Sequence, residues 1–423
     1  GTLKGVFSGV LNPKDFGAKG DGLNDDAPAF QAMVDSIPVN GGAIVIIPPG
    51  LFKIATPVAV TDRAINWCGT GGTSICEVRC NTGFLSTDIS GMSSIYQPYF
   101  GVRDLAITTI EASTPSSVPV GTAILFKGAN TTADVDNGCN IENVSIRGAN
   151  NFSTQGFRIG ISLDNVRRAV LHNVRIIGSA GTTFPDDGTY RNMQYGVLVK
   201  DNCTGPSFDY VRVTSAETCL AIVGPTITEG GSARRCIGLI ADYGITGANY
   251  LSGWQDILHC HFSTHKYGIK LANSHAYVMN NLLFRAPNAL ASQDYIGIEI
   301  DGRGCHISHN SILNQSPNVP TVQTMVRVKG TTFGDYSFIT DNNLLSGFAG
   351  NWRKTIDLES GTKENTVAGN ISYVGAPVIV NAGTNNQIVE WRSKAVPTIA
   401  SRASLALPVG HDLVKVSGTA DIT

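Results

Sequence analysis

A short phrase returns down the sequence at intervals of roughly 20 to 40 residues. Each copy has an aliphatic or aromatic residue in third place, usually after a polar pair, as at 142–145, 172–175 and 209–212. Repeats of this length are typical of a supersecondary unit that stacks on copies of itself to bury a continuous core. We therefore expect a solenoid in which the third positions lie directly above one another. These positions are Val144, Val174, Val211, Ile240, Phe262, Leu282, Ile312, Leu344 and Ile371.

A second run of alternating apolar residues lies between successive copies. These runs are 159–163, 196–200, 220–223, 268–271, 297–300, 325–328, 355–358 and 377–380. Alternation with period two is typical of a strand with one buried face. Charged residues make up only 15% of the 423 residues and 47 are Gly, which suits many strands joined by tight turns. The predicted fold is all-β, a right-handed parallel β-helix, because parallel crossover connections favour that hand.

The bulk properties exclude several classes of function. The net charge of −2 gives no general attraction to nucleic acid. No uninterrupted apolar run approaches the length of a membrane span and no secretion signal is visible, so no membrane insertion is expected. The nine Cys are dispersed, and Cys76 and Cys80 have no second pair to complete a zinc site. Buried thiols, no metal and no cofactor are therefore expected.

The two ends of the chain differ from the repeat array. Residues 1–55 predict an N-terminal cap with one amphipathic helix, in which Asn24, Asp25 or Asp26 precedes Ala27 and Pro28 as the helix N-cap. Such a helix covers a sheet end that would otherwise be open to edge-to-edge association. Residues 56–390 form the predicted β-helix. Residues 391–423 predict a small C-terminal β segment.

Two terminal motifs carry a family resemblance. Residues 15–22, 24–26 and 41–50 resemble the opening of the pectate-lyase-like superfamily, which includes bacteriophage tailspike polysaccharide depolymerases. Residues 407–419 resemble the end of the central body of some tailspikes. The resemblance implies a homotrimer on the virion tail, attached to a baseplate or adaptor. It also implies cleavage of a capsular or lipopolysaccharide glycan at the host bacterial surface.

The family's catalytic clusters are not found. The aspartates that hold calcium in pectate lyases have no match, so that chemistry is not carried over. Asp186 and Asp187 echo a polygalacturonase motif, but Pro185 and Gly188 make the same stretch a strong turn sequence.

The middle repeats hold the densest ionisable residues. Hydrolysis of a glycan needs two carboxyl groups beside one bond, and stacked repeats can supply them from neighbouring coils. Glu217 and Asp242 follow their repeats at similar offsets and are the predicted catalytic pair, with Asp209 and Glu229 as next choices. Close like charges raise one pKa of such a pair, and that group becomes the general acid. Each of these residues is also compatible with an ordinary surface or turn carboxylate. The predicted substrate-binding residues are Arg212, Tyr243, Trp254, Asp256, His261, His265 and Lys266.

Two other functions remain open from the sequence. A polysaccharide lyase would use His or Tyr to take a proton beside a uronic carboxylate that Arg212 or Lys266 neutralises. A glycan-binding fibre would bind without turnover. His259, His261 and His265 do not complete a zinc site, because no carboxylate or Cys lies at a fitting spacing.

Two polar patterns in the sequence are expected to have structural roles. The side chains of Lys270, Glu299, Arg327 and Asp357 alternate in sign and are expected to pair on successive coils. The repeated asparagines are expected to support turns and side-chain ladders between coils. They are Asn143, Asn173, Asn281, Asn310, Asn343 and Asn370.

Overall fold

A computed structural model of the chain describes most of its residues. The described ranges are 7–78, 83–92, 100–110, 120–128, 138–149, 155–179, 193–224, 230–247, 253–272, 275–287, 289–318, 322–330, 335–346, 354–372, 379–393, 398–400 and 415–417. Across these ranges no helix is both long and apolar enough to cross a membrane.

The described elements are short strands with two short helices near the N-terminus. The helices are a 3-10 helix, Pro13–Phe16, and α1, Ala27–Asp35. The strands, in chain order, are β1 Phe7–Leu11, β2 Asp21–Asp25, β3 Gly42–Ile46, β4 Gly50–Ile54, β5 Val58–Thr61, β6 Ala64–Cys68, β7 Ser74–Val78, β8 Leu85–Asp88, β9 Phe100–Arg103, β10 Ala106–Thr109, β11 Val120–Lys127, β12 Cys139–Glu142, β13 Ser145–Gly148, β14 Phe157–Asp164, β15 Ala169–His172, β16 Arg175–Ile177, β17 Met193–Lys200, β18 Ser207–Asp209, β19 Arg212–Thr214, β20 Ala216–Val223, β21 Gly231–Arg234, β22 Ile237–Gly247, β23 Trp254–Leu258, β24 His261–Leu271, β25 Tyr277–Met279, β26 Leu282–Arg285, β27 Tyr295–Ile300, β28 His306–Ser308, β29 Ser311–Asn314, β30 Gln323–Val328, β31 Phe338–Thr340, β32 Asn343–Ser346, β33 Lys354–Leu358, β34 Thr366–Ser372, β35 Ile379–Asn381, β36 Gln387–Ser393, β37 Thr398–Ala400 and β38 Lys415–Ser417.

The strands stack into three parallel sheets, and each turn of the chain contributes one strand to each sheet. Sheet I contains β1, β3, β6, β9, β12, β15, β18, β21, β23, β25, β28, β31 and the first halves of β34 and β36. Sheet II contains β2, β4, β7, β10, β13, β16, β19, the first halves of β22 and β24, β26, β29, β32 and the last halves of β34 and β36. Sheet III contains β5, β8, β11, β14, β17, β20, the last halves of β22 and β24, β27, β30, β33 and β35. This arrangement is a parallel β-helix, as the sequence predicts.

Helix α1 lies against the first turns of this helix. Its side chain Phe30 is fully buried and contacts Phe52, Trp67 and Phe84. Asp26 is the N-cap residue, although its carboxylate accepts hydrogen bonds from the backbone N–H groups of residues 19 and 20 instead of from the helix. The predicted capping helix is therefore present, and its apolar face joins the core.

The alternating runs fall in sheet III as predicted. The run 159–163 lies in β14, 196–200 in β17 and 220–223 in β20. The next run, 268–271, lies in β24, so the intervening sheet III strand in β22 has no predicted run. The later runs lie in β27, β30, β33 and β35, with residues 377 and 378 of the final run outside the described residues. The single ladder of third positions is wrong. Val211 is level with Cys236, because the next residues, Arg212 and Ile237, are paired. Phe262 is paired with Gly238, which lies two residues after Cys236, so Phe262 is two levels away from Val211. Ile240 lies at a register shift, between the paired residues Leu239 and Ala241.

The corner between sheets I and II explains the recurring phrase. In many coils a residue with left-handed backbone makes this turn, for example Asn143 at φ 54° and Asn173 at φ 51°. Such a turn needs one residue that tolerates positive φ, and Asn does so because its side chain bonds the local backbone. Asn173 Nδ2 also donates to Asn143 Oδ1 at 2.7 Å, which links the two coils. The predicted structural role is confirmed for Asn143 and Asn173, whereas Asn343 begins β32 and Asp341 has the left-handed backbone in that coil.

A second asparagine ladder runs through the interior. Its members are Asn281, Asn310, Asn342 and Asn370, each at most 2% exposed. The side-chain nitrogens of Asn281, Asn310 and Asn342 each donate to the side-chain oxygen of the asparagine on the next coil, at 2.9, 3.0 and 2.9 Å. In the preceding coils the same level holds Cys260, Cys236 and Val211, so the interior column changes from apolar to polar along the helix.

The described cysteines are all buried and free, as predicted; Cys80 lies outside the described residues. At the C-terminal end β36 pairs with β34, so paired strands continue to Ser393. β37 and β38 pair with each other in a separate two-stranded sheet. The boundaries at 55 and 390 remain predictions.

Candidate active site

Three successive coils pass from sheet II to sheet III without a loop. Ser215 alone separates β19 from β20, while β22 and β24 run through the corner as continuous strands. On either side the same corner takes longer segments, 178–192 and 286–294. We call the three loop-free corners, 215–217, 240–242 and 264–266, the short corner. The predicted acids 217 and 242 both lie in it.

Glu217 and Asp242 occupy the same column on adjacent strands of sheet III. The residues that follow them, Thr218 and Tyr243, are paired in register. Adjacent strands lie about 4.8 Å apart, so the two carboxylates extend from neighbouring positions. The sequence prediction that these acids would be vertical neighbours therefore holds geometrically, although the ladder used to derive it does not.

The two carboxylates have different surroundings. Asp242 is only 6% exposed, and its Oδ2 accepts a hydrogen bond from Lys266 Nζ at 2.7 Å. Glu217 is exposed and has no hydrogen bond or ion pair with any residue that the structure describes. The result is one buried, charge-compensated carboxylate beside one that is open to a ligand.

A groove starts at Glu217 and runs over the outer face of sheet III, while the buried Asp242 lies beside Glu217 and does not line the groove. Its volume is about 460 Å³, and its lining includes Tyr195, Glu217, Tyr243, Lys270, Asp301 and Lys329. These residues lie in β17, β20, β22 and β24 or directly after β27 and β30, so the groove crosses six strands. Five steps of about 4.8 Å make it roughly 24 Å long, which is the scale of an oligosaccharide.

Tyrosines form the floor of the groove beside the acids. Tyr195, Thr218, Tyr243 and Tyr267 share one column, and the rings of Tyr243 and Tyr267 stack at 5.3 Å with an interplanar angle of 10°. Stacked rings cover each other's faces. The pair therefore presents ring edges and hydroxyl groups to a ligand in the groove, and not a flat aromatic surface. Lys270 Nζ lies 4.7 Å from the centre of the Tyr267 ring.

Burial keeps these phenols protonated. It raises the pKa of Tyr195 and of Tyr243, and nearby carboxylates add to the effect. Burial, with the charge of Glu299, raises the pKa of Tyr267 to about 12. At neutral pH the three hydroxyl groups are therefore hydrogen-bond donors rather than bases.

The predicted charge ladder extends the groove. Lys270, Glu299, Arg327 and Asp357 are paired in register on four successive strands. Their closest charged atoms lie 3.9, 3.3 and 3.5 Å apart. The alternation of charge is confirmed, and Lys270 and Glu299 of this ladder also line the groove.

Three predicted residues lie on other faces. Asp209 ends a strand of sheet I, where it is bound by Arg235 at 2.6 Å. Asp256, also in sheet I, pairs with Arg234 at 2.9 Å. Arg212 is exposed on sheet II beside Arg175. The structure does not bring these side chains into the groove. Glu229, Asp186 and Asp187 lie outside the described residues.

Three predicted substrate-binding residues need correction or a new role. Trp254 is 1% exposed, packs on Phe208, and donates its indole N–H to the carbonyl oxygen of Thr246, so it is a core residue and not a sugar platform. His265 is fully buried, with Nδ1 3.1 Å from the carbonyl oxygen of Ala241. His261 lies on sheet II against Phe284, and burial lowers its pKa.

Sequence reasoning missed Tyr195, Tyr267 and the groove role of Lys270. A signal was present, because Tyr-Gly recurs at 195–196, 243–244 and 267–268. The glycines face inward where a Cβ has no room: at Gly244 it would lie 2.4 Å from the backbone oxygen of Gly268. Each inward glycine fixes the preceding tyrosine on the outer face.

Other sites are less suited to chemistry. A cavity of about 190 Å³ on sheet I, beside Asn66, Arg103 and Asn140, is lined by no carboxylate. Among the described residues no group of His, Cys, Asp and Glu is arranged to hold a metal ion.

No protein-family model matches the chain. Sequence comparison finds the mannuronan C5-epimerase AlgE6 of Azotobacter vinelandii, 28% identical over 199 residues, which is 44% of this chain and 22% of the relative. Alginate lyase 7 of the same organism is 28% identical over 198 residues, covering 44% of this chain and 23% of that protein. The matched region is thus less than a quarter of each relative's length. Both relatives act on polysaccharides.

Two solved structures share the fold. The A-module of the AlgE6 epimerase has a TM-score of 0.62 at 18% identity, covering 90% of this chain and 98% of the module. The tailspike protein gp49 of Pseudomonas phage LKA1 has a TM-score of 0.50 at 14% identity, covering 96% of this chain and 83% of that chain. At these identities the likeness establishes the parallel β-helix alone.

Proposed function

We propose that this protein is an enzyme that cleaves an extended polysaccharide in the groove on sheet III. The observation that carries the proposal is that Glu217 lines the end of the groove and has Asp242 beside it on the adjacent strand, since Thr218 and Tyr243, the residues that follow them, are paired. Polysaccharide-active relatives support it independently.

The favoured reaction is hydrolysis with retention of configuration. Carboxyl groups about 5–5.5 Å apart suit a retaining mechanism, and adjacent strands give nearly that spacing. Asp242, with its charge compensated by Lys266 at 2.7 Å, is the nucleophile. Glu217 is the acid that protonates the leaving oxygen, because it is the exposed member of the pair and lines the groove. Tyr195 and Tyr243 donate hydrogen bonds to sugar hydroxyls beside it.

The second candidate is proton abstraction beside a uronic carboxylate. It is favoured by the relatives, since an epimerase and a lyase are both named for polymers that contain uronate. In this site Lys270 would neutralise the substrate carboxylate, Glu217 would take the proton, and Tyr243 would supply one.

Glutamine and asparagine variants test the proposal. Glu217→Gln and Asp242→Asn should each reduce release of oligosaccharide from host capsule or lipopolysaccharide by at least about 100-fold. Asp256→Asn is the matched control, because that carboxylate lies on sheet I and pairs with Arg234. Thermal unfolding of each variant separates loss of chemistry from loss of folding. Full activity in both active-site variants would remove the pair from the mechanism.

We further propose that the protein is a homotrimer on a phage tail, held by a baseplate or adaptor, and acts at the surface of the host bacterium. The terminal motifs support this assignment, and the tailspike fold is compatible with it. Light scattering should give a mass of three chains of 44.7 kDa. A monomer with full activity would refute the trimer and leave the cleavage proposal intact.

A further inference from the structure

A buried polar cluster occupies the corner between sheets II and III, outside the groove. Arg285 and Asn314 are paired at the ends of β26 and β29, and Gln323 begins β30 on the coil of Asn314. All three side chains are fully buried. Buried polar atoms in folded proteins are almost always hydrogen-bonded, so unpartnered ones need an explanation.

Four atoms of this cluster have no hydrogen-bond partner in the part of the chain that the structure describes. They are Arg285 Nε, Asn314 Nδ2, and both Nε2 and Oε1 of Gln323. The orientation of Asn314 is set by its Oδ1, which accepts a hydrogen bond from the N–H of Ser316 at 3.0 Å. Three of the four atoms belong to N–H donors and one, Gln323 Oε1, is an acceptor, so donors outnumber acceptors.

The charge of Arg285 is also uncompensated. Among the described residues, its terminal nitrogens donate to three neutral carbonyl oxygens, those of Leu290 at 2.9 Å, Gln293 at 3.5 Å and Asn318. No carboxylate among the described residues lies within ion-pair distance of it. The undescribed residues of the two adjoining loops, Asn288 and 319–321, include no acid in the sequence. Burial lowers the pKa of Arg285 to about 10, so the group remains charged at neutral pH.

A buried charge without a counter-charge is strongly destabilising, and buried donors in excess of acceptors favour an additional acceptor. We propose that this corner binds a small monovalent anion of the chloride class, held by Arg285 Nε, Asn314 Nδ2 and Gln323 Nε2. One water accompanies it and donates to Gln323 Oε1. A single cationic group and complete burial favour a monovalent ion over phosphate or sulfate.

The anion completes a clamp between two corner loops. The hydroxyl group of Ser316 and the amide of Asn318 both donate to the carbonyl oxygen of Ala289, at 3.0 and 2.9 Å. Arg285 contacts both loops through Leu290 and Asn318. Neutralising this arginine therefore stabilises the segment 286–294, which borders the short corner.

Bromide is the probe. Crystals of the whole protein soaked in sodium bromide should show an anomalous peak at hydrogen-bond distance from Arg285 Nε, and Arg285→Met should lose it. In solution the wild type should melt roughly 1–2 °C higher in chloride than in gluconate at equal ionic strength. Arg285→Met should show no such difference.

A second pair of variants covers the case in which Arg285→Met does not fold. Asn314→Leu and Gln323→Leu keep the charge and remove one donor each, and both should weaken the chloride dependence. Water alone at the position in wild-type crystals, or a bromide peak that persists in Arg285→Met, would overturn the proposal.

Discussion

The interior asparagine ladder offers the sharpest test of how this fold is stabilised. Asn310 Nδ2 donates to the carbonyl oxygen of Val278 at 2.8 Å and to Asn342 Oδ1 at 3.0 Å. Its Oδ1 accepts from the backbone and side-chain nitrogens of Asn281, at 3.0 and 2.9 Å. Asn310→Val removes all four bonds, and earlier coils hold Val at this level, so the change fits sterically.

The expected loss is large. Each buried hydrogen bond contributes about 1 kcal/mol net, and the groups left behind in the core have no water to bind. Four bonds therefore predict a loss of about 3–5 kcal/mol in the free energy of unfolding, against a total of about 5–15 kcal/mol for a typical domain. Urea denaturation followed by tryptophan fluorescence measures it. Hydrogen exchange gives a local readout, because the amide of Asn281 should lose protection.

Asn173→Gly is the matched control. It removes one exposed rung of the outer ladder, the 2.7 Å bond to Asn143, and Gly keeps the left-handed backbone. It should cost no more than about 1 kcal/mol. If Asn310→Val costs no more than this control, the interior ladder does not stabilise the stack and the reasoning fails.

The structure also predicts the effects of three further substitutions on stability. Gly244→Ala should destabilise by about 2–3 kcal/mol, since its Cβ would meet backbone at 2.4 Å, whereas Gly72→Ala, with nothing within 4 Å, should be neutral in thermal melts. Arg327→Met should cost about 2–4 kcal/mol, because it leaves the buried carboxylate of Glu299 with only the distant Lys270; a loss below 1 kcal/mol in denaturant titration would contradict this. Burial lowers the pKa of His261, so stability is complete above its unfolded pKa and falls as pH drops through the folded value. His261→Phe should therefore reduce the loss of melting temperature between pH 7 and pH 5, and an unchanged loss would exclude this group.

Much of the fold follows from sequence periodicity. Alternation of period two placed the strands of sheet III, and charge alternation placed Lys270, Glu299, Arg327 and Asp357 on successive coils. The apolar third positions were less informative. A turn residue such as Val211 and an inward strand residue such as Phe262 are both buried, so hydrophobicity alone cannot distinguish their levels.

The candidate site was predicted only in part. Glu217 and Asp242 were paired from their offsets, and the register of sheet III places them together. Trp254 and His265 were misplaced, because an aromatic or imidazole ring in a strand gives no sign of which face it takes unless neighbouring registers are known. The tyrosine floor was missed because its marker is the inward Gly that follows each tyrosine, a steric requirement visible only once the coils are stacked.

The configuration of the first product tests the active centre most directly. Proton NMR of a fresh digest reports both the anomer released and any carbon–carbon double bond in the new terminal sugar. Carboxylates on adjacent strands predict a saturated product that initially keeps the anomeric configuration of the cleaved linkage. An inverted product or an unsaturated terminal sugar would contradict the assignment of Asp242 as nucleophile and Glu217 as acid.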